Sequence, residues 1–197
     1  MSLRSANALA FALLGVLVAV GAGNHVDQWA VDHLMPGAHF TTNESGFLEG
    51  LIPLYRSHWH GGLAIAANVV TLPAAFLVAL AVVVWRSRPL ALALAAAVAV
   101  EVICKATIVR PALHQGDLHI RAFDSSFPSG HALRTVLVAA ALWSVARAWA
   151  VAWAVASVVL LELAGWHTPT DLAGGVVLGV SALLLARRWA LRNRLRG

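Results

Sequence analysis

Three short segments carry side chains whose types and spacing suit joint chemistry. The first is Phe127-Pro128-Ser129-Gly130-His131, directly before an apolar run. Proline pre-sets a helix start, and glycine lets a ligand approach the backbone closely. Free N–H groups at a helix N-terminus bind anions, phosphate above all. There the Ser129 hydroxyl adds a donor, and the His131 imidazole adds an acid–base group. The second segment, His167-Thr168-Pro169-Thr170-Asp171, sets a carboxylate four residues after an imidazole. Asp171 can then hold Nδ1–H of His167 and leave Nε2 free to attack. The third is Lys105, followed by Arg110-Pro111. A lysine deep in an apolar helix is expensive and a functional candidate by default, and Glu101, one turn earlier, can pair with it. The plainer readings are unrelated core histidines, Asp171 as a helix-terminus charge, and Lys105 as a snorkelling side chain paired only with Glu101.

The elements that must position these residues follow from composition. Of 197 residues, 60% are hydrophobic and 12% charged, the latter about half the share usual in soluble domains. A soluble domain of this size could not keep so much apolar surface from water, which excludes an ordinary cytosolic enzyme, a disordered chain and a disulfide scaffold. The one cysteine, Cys104, has no intrachain partner. Apolar stretches run over 6–23, 63–85, 90–109, 131–146, 148–166 and 172–189, each near the ~20 residues that cross a bilayer. We therefore expect an all-α, six-helix integral membrane bundle forming a single domain over 1–197, since backbone amides in lipid need internal partners.

Arg4, Arg86, Arg88, Arg147, Arg187, Arg188, Arg192, Arg194 and Arg196 fall at one set of helix ends, which holds none of the acidic residues. Basic residues set orientation, so that side and both termini are expected to be cytoplasmic. The same argument reads the net charge of +5 as topology and not as nucleic-acid binding. All three chemical segments then face the outer side. The first span, with Arg4 and Ala22-Gly23, loosely fits a cleaved signal, but a retained anchor is expected. The long outer loop 24–62 mixes aromatic and polar residues, which suits short interfacial helices around 27–35 and 46–57. It reads as a cap over the helix ends or as a lateral gate for a lipid substrate.

Other features carry less. His58-Trp59-His60 could present two imidazoles together, but no third ligand follows at metal-site spacing. His25, His33, His39, His114 and His119 read as loop histidines. Asn43-Glu44-Ser45 matches a glycosylation acceptor, a pattern common by chance.

The Lys105…Arg110-Pro111, Pro128-Ser129-Gly130-His131 and His167-x-x-x-Asp171 segments, in that order and on one membrane side, resemble the type 2 phosphatidic acid phosphatase (PAP2) family, membrane relatives of vanadium haloperoxidases. The resemblance implies six spanning helices with the site at their outer ends. It implies His167 as the nucleophile of a phosphohistidine mechanism, Asp171 as its orienting group, and His131 as general acid and then base. Lys105, Ser129 and the Gly130 backbone would bind phosphoryl oxygens. Two family arginines are missing at their usual spacing. Position 112 is Ala, with Arg110 two residues early, and Leu161 stands six residues before His167. Arg134, one turn after His131, is the expected replacement, with Arg110 or Arg121 as a second cation and bound phosphate or Glu162 as its partner. The competing reading is that Arg134 only neutralises Glu162.

The resulting expectation is a metal-independent, cofactor-free phosphatase of a cell inner or plasma membrane. It would remove the terminal phosphate by hydrolysing a phosphomonoester or diphosphate of a lipid or polyprenyl substrate at the outer leaflet. Envelope polyprenyl phosphates and phosphatidate-like glycerolipids both fit, and nothing in the residues chooses between them or sets an oligomeric state. The rivals are a lipid phosphotransferase with an alcohol acceptor, a channel or transporter with a polar outer vestibule, a binder without turnover, and a haem or metal protein.

Overall fold

The computed structural model describes residues 3–35, 88–143, 146–163 and 165–194. The expected second span over 63–85 and the interfacial helix around 46–57 lie outside the described residues, as do His39, Asn43, His58 and His60. Six α-helices are described: α1 (Leu3–Ala19), α2 (Asn24–His33), α3 (Arg88–Thr107), α4 (Gly130–Leu142), α5 (Arg147–Leu163) and α6 (Pro169–Arg194). Between α3 and α4 come two-residue strands, β1 (His114–Gln115) and β2 (Leu118–His119), paired antiparallel, and a 3-10 turn at Arg121–Phe123.

Two helices, α3 and α6 over Pro169–Arg192, are long and apolar enough to cross a membrane, and the bent pair of α1 and α2 makes a third candidate. The fourth expected span differs in length. Helix α4 has 13 residues, capped at Trp143, or about 20 Å at 1.5 Å per residue, against a hydrocarbon core of about 30 Å. The fifth expected span ends at Leu163, and Trp166 and His167 lie in the turn that follows it.

Helix α1 stops in a glycine turn. Gly21 has φ +76°, and the N–H groups of Gly21 and Ala22 close back on the carbonyls of Val18 and Leu17, satisfying acceptors that a helix end leaves open. The chain bends there by 72°, and α2 turns across the 110–120 loop. Asn24 donates to the Pro111 carbonyl (3.1 Å), and Gln28 exchanges two hydrogen bonds with the His114 backbone. Val31 and Met35 complete a small core with Leu113, Ile120 and Phe123.

Helix α6 is the central element, packed against α1, α3 and α4. Ala93, Leu94 and Ala97 of α3, Leu133 and Leu137 of α4, and Leu178 and Ala182 of α6 form the largest apolar cluster among the described residues. In lipid, helix pairing gains little from the hydrophobic effect, so close approach must supply the attraction. Gly175 shows how close: a Cβ there would run into the Ser129 carbonyl and lie 2.9 Å from the Ala132 Cβ. Asn7 of α1 reaches across to the Val177 carbonyl (3.0 Å) and Ser181 Oγ (2.5 Å). Large apolar side chains such as Leu13, Val102, Trp149 and Leu185 point outward. Polar groups are buried instead, and Asp27, Glu101, Arg110, Ser126, Ser129, His167, Thr168 and Asp171 gather at one end. Arg88, Arg147, Arg187, Arg188 and Arg192 sit at the opposite helix ends.

Candidate active site

The start of α4 is built as its residue types require. Ser129 is the N-cap in an extended conformation, and its Oγ accepts from the Ala132 N–H (3.2 Å), satisfying a donor that has no partner within the helix. The Ser129 N–H donates to the Asp171 carbonyl (2.9 Å), which ties the start of α4 to the start of α6. The Phe127–Pro128 peptide is cis.

The turn into α6 follows a capping-box logic. Thr168 precedes the helix, Pro169 opens it, and the Thr168 N–H donates to Asp171 Oδ2 (3.3 Å). With the two helix starts joined, His131 and His167 meet: Nδ1 of His131 lies 3.2 Å from Nε2 of His167. The Trp166 ring flanks His131 at 5.5 Å between centroids. Asp171 Oδ2 is 3.9 Å from His167 Nδ1, beyond hydrogen-bond reach, and that buried nitrogen has no hydrogen-bond partner. The Asp171 carboxylate is occupied elsewhere, by Ser126 Oγ (2.5 Å) and the Arg110 guanidinium.

Lys105, Glu101 and Arg134 form a second cluster beside Gly130. Lys105 Nζ donates to Glu101 Oε1 (2.9 Å), and Arg134 Nη2 lies 3.2 Å from Glu101 Oε2. The sequence offers Arg134 bound phosphate or Glu162; the structure pairs it with Glu101, because that face of α3 is turned towards the start of α4. Gly130 has a reason beyond ligand access: a Cβ there would collide with Glu101 Oε1 and Arg134 Nη1. The Glu101 carboxylate, 6% exposed, therefore lies against the backbone where α4 begins.

Arg110 stands apart from this cluster. Nη1 donates to Asp27 Oδ2 (2.7 Å) and Thr168 Oγ1 (2.9 Å), while Nη2 meets Asp171 and Thr170. Its side chain is sealed from solvent, so the guanidinium is committed to two carboxylates and two hydroxyls. Arg121 is exposed in its 3-10 turn. Asp27 is the site residue that sequence reasoning missed. It accepts from the Thr170 N–H (3.0 Å) and hydroxyl (2.6 Å) as well as from Arg110. Burial pushes its carboxyl above the usual carboxylate range, with the Thr170 bonds and the Arg110 charge pulling against that. Its one sequence signal is an acidic residue in the first turn of an interfacial helix, which no spacing rule links to positions 110 and 170.

Among the described residues, no three His, Cys, Asp or Glu side chains gather as a metal site. His114 and His119 face each other at 5.6 Å, and His119 pairs with Asp124 (2.8 Å). No curated protein and no solved structure matches the chain. The family model of the PAP2 superfamily matches residues 87–195, the segment that carries Lys105, His131, His167 and Asp171 but not Asp27. The apolar helices associate it with a membrane, and more than half of its length fits a phosphatase family, so the chain belongs to the PAP2 superfamily.

Proposed function

We propose that this protein is a lipid phosphatase that hydrolyses a phosphomonoester or diphosphate of a lipid or polyprenyl substrate through a phosphohistidine. The observation that carries this reading is the 3.2 Å approach of His131 Nδ1 to His167 Nε2. Two imidazoles brought together from separate helix starts suit a nucleophile and its acid–base partner.

In the proposed reaction, Nε2 of His167 attacks phosphorus, and the bond from phosphorus to the leaving oxygen breaks. His131 gives that oxygen its proton. Water then attacks the phosphohistidine, His131 takes a proton from it, the N–P bond breaks, and phosphate leaves. Asp171 steadies Nδ1 of His167, and the 3.9 Å separation closes on substrate binding, as hydrogen bonds at apo sites commonly do. Lys105, Arg134, Ser129 and the Gly130 backbone receive the phosphoryl oxygens, since phosphoryl transfer depends mainly on positioning and charge. The buried placement of Arg110 favours a supporting role for it over contact with phosphate.

The same reading takes the whole chain as one domain of six spans with cytoplasmic termini and the site at the outer leaflet. The arginines at the helix ends away from the site support that orientation, and the substrate tail then stays in the bilayer. The test is phosphate release by purified protein from a panel of polyprenyl phosphates, polyprenyl diphosphates and phosphatidate. Release inhibited by vanadate and abolished in His167→Ala is expected, together with an acid-labile phosphoenzyme on the wild type. No release from any member of the panel overturns the proposal.

A further inference from the structure

We propose that Asp27, on α2 and outside the family-matched segment, is a positioning residue of this site: it shares the Arg110 guanidinium with Asp171 and fixes the first turn of α6. The inference rests on the phosphatase reading and extends its machinery to the N-terminal helices.

Three observations meet at Asp27. Its side chain is 1% exposed, an acid on the buried face of the ten-residue α2 beside Ala30 and Val31. Both oxygens are used: Oδ1 by the Thr170 N–H, and Oδ2 by the Thr170 hydroxyl and Arg110 Nη1. Thr170 lies directly before Asp171, so Asp27 acts as a remote cap for the helix start that carries the carboxylate facing His167. Arg110 bridges the two acids, Asp27 through Nη1 and Asp171 through Nη2. A guanidinium held from both sides cannot swing wholly onto Asp171, which leaves that carboxylate able to face His167 Nδ1. Buried ion groups with one partner removed are costly, so the bridge holds only while both acids are present.

Arg110 joins Asp27 to Asp171, Glu162 of α5 feels the Asp27 charge, and His131 of α4, in contact with His167, feels the charges of Arg134 on α4 and Lys105 on α3. Removing the Asp27 charge frees Arg110 to move wholly onto Asp171 and makes the buried surroundings of the paired imidazoles more positive, which disfavours uptake of a further proton by the site. The acid limb of the pH–rate profile then moves to lower pH. A residue that merely supports the fold would change the number of active molecules and leave the limb in place.

The test uses the full chain in detergent, with rates expressed per vanadate-binding site. Asp27→Asn keeps an acceptor for Thr170 but loses the charge. It is expected to move the acid limb to lower pH and to lower kcat about tenfold, with KM within about twofold of wild type. Asp27→Glu is expected to keep the limb at its wild-type position. Thr170→Val loosens Asp27 without removing a charge, and is expected to lower kcat about threefold with the limb unmoved. An unmoved limb in Asp27→Asn, or wild-type turnover in Thr170→Val, overturns the proposal. A wild-type protein that forms no phosphoenzyme overturns the phosphatase reading itself, before any variant is made.

Discussion

On either side of the paired imidazoles, the fold sets an arginine against carboxylates, and the two settings differ in access. Arg110 is 1% exposed, between Asp27 at 1% and Asp171 at 0%. Arg134 is 29% exposed and Lys105 36%, around the Glu101 carboxylate. Ion pairs open to solvent contribute about 0–1 kcal/mol and exchange partners readily. A sealed pair that loses one member leaves an uncompensated buried charge, at a cost of about 3–5 kcal/mol. The open cluster is therefore accessible to an incoming anion, as the proposed function requires, whereas the sealed one is closed to solvent. Opposite charge beside a catalytic group does not reveal which of these settings an arginine has; solvent access does.

The largest expected effect belongs to the sealed side. Arg110→Ala leaves Asp27 and Asp171 both buried without their cation, and should destabilise the protein by about 3–5 kcal/mol. Thermal unfolding in detergent measures this. Arg110→Lys should recover only part of it, because an ammonium cannot reproduce the fork that spans the two carboxylates. A stable Arg110→Ala protein would remove the contrast between the clusters. On the open side, Arg134→Ala should leave the unfolding temperature almost unchanged while kcat/KM falls about a hundredfold and vanadate inhibition weakens, as expected for a lost phosphoryl contact. Unchanged vanadate inhibition would return Arg134 to the role of partner for Glu101 alone.

The open cluster was partly legible in the sequence, and the sealed one was not. Glu101 and Lys105 are four apart in a helical apolar run, so their pairing follows from helix periodicity. Pro128-Ser129-Gly130 reads as a helix start with Ser129 as a donor to phosphoryl oxygens, not as the N-cap that the structure makes it, and Asp171 four residues after His167 reads as a partner for the imidazole. The bonds that Asp171 makes, to Ser126 and Arg110, depend on how the 110–128 loop crosses the helix starts. Asp27 is harder still: it meets Arg110 and Thr170 across 83 and 143 residues, and only the turn at Gly21 brings α2 there. Arg134 shows the same limit, since its position was readable but its partner on α3 was not. The helical, apolar character of the chain followed from composition, and the described residues hold two helices, or three with the bent pair, of the six expected spans. The length of α4 did not follow from composition, because apolar character continues through Ala146 while the helix stops at Leu142.

The smallest expected effect separates two roles of Glu101. Its carboxylate lies between the cations that the proposed phosphate would use, against the Gly130 backbone. An anionic ligand must then share Lys105 and Arg134 with an anion already present. Glu101→Gln keeps the shape and removes the charge, so phosphate and vanadate should bind about threefold to tenfold more tightly, a gain of roughly 1 kcal/mol. Inhibition constants measured at two salt concentrations check this, because added salt should shrink the difference between variant and wild type. If Glu101 serves instead to aim the two cations, the same variant binds vanadate more weakly. The sign of the change therefore decides whether this carboxylate competes with the substrate or prepares its site.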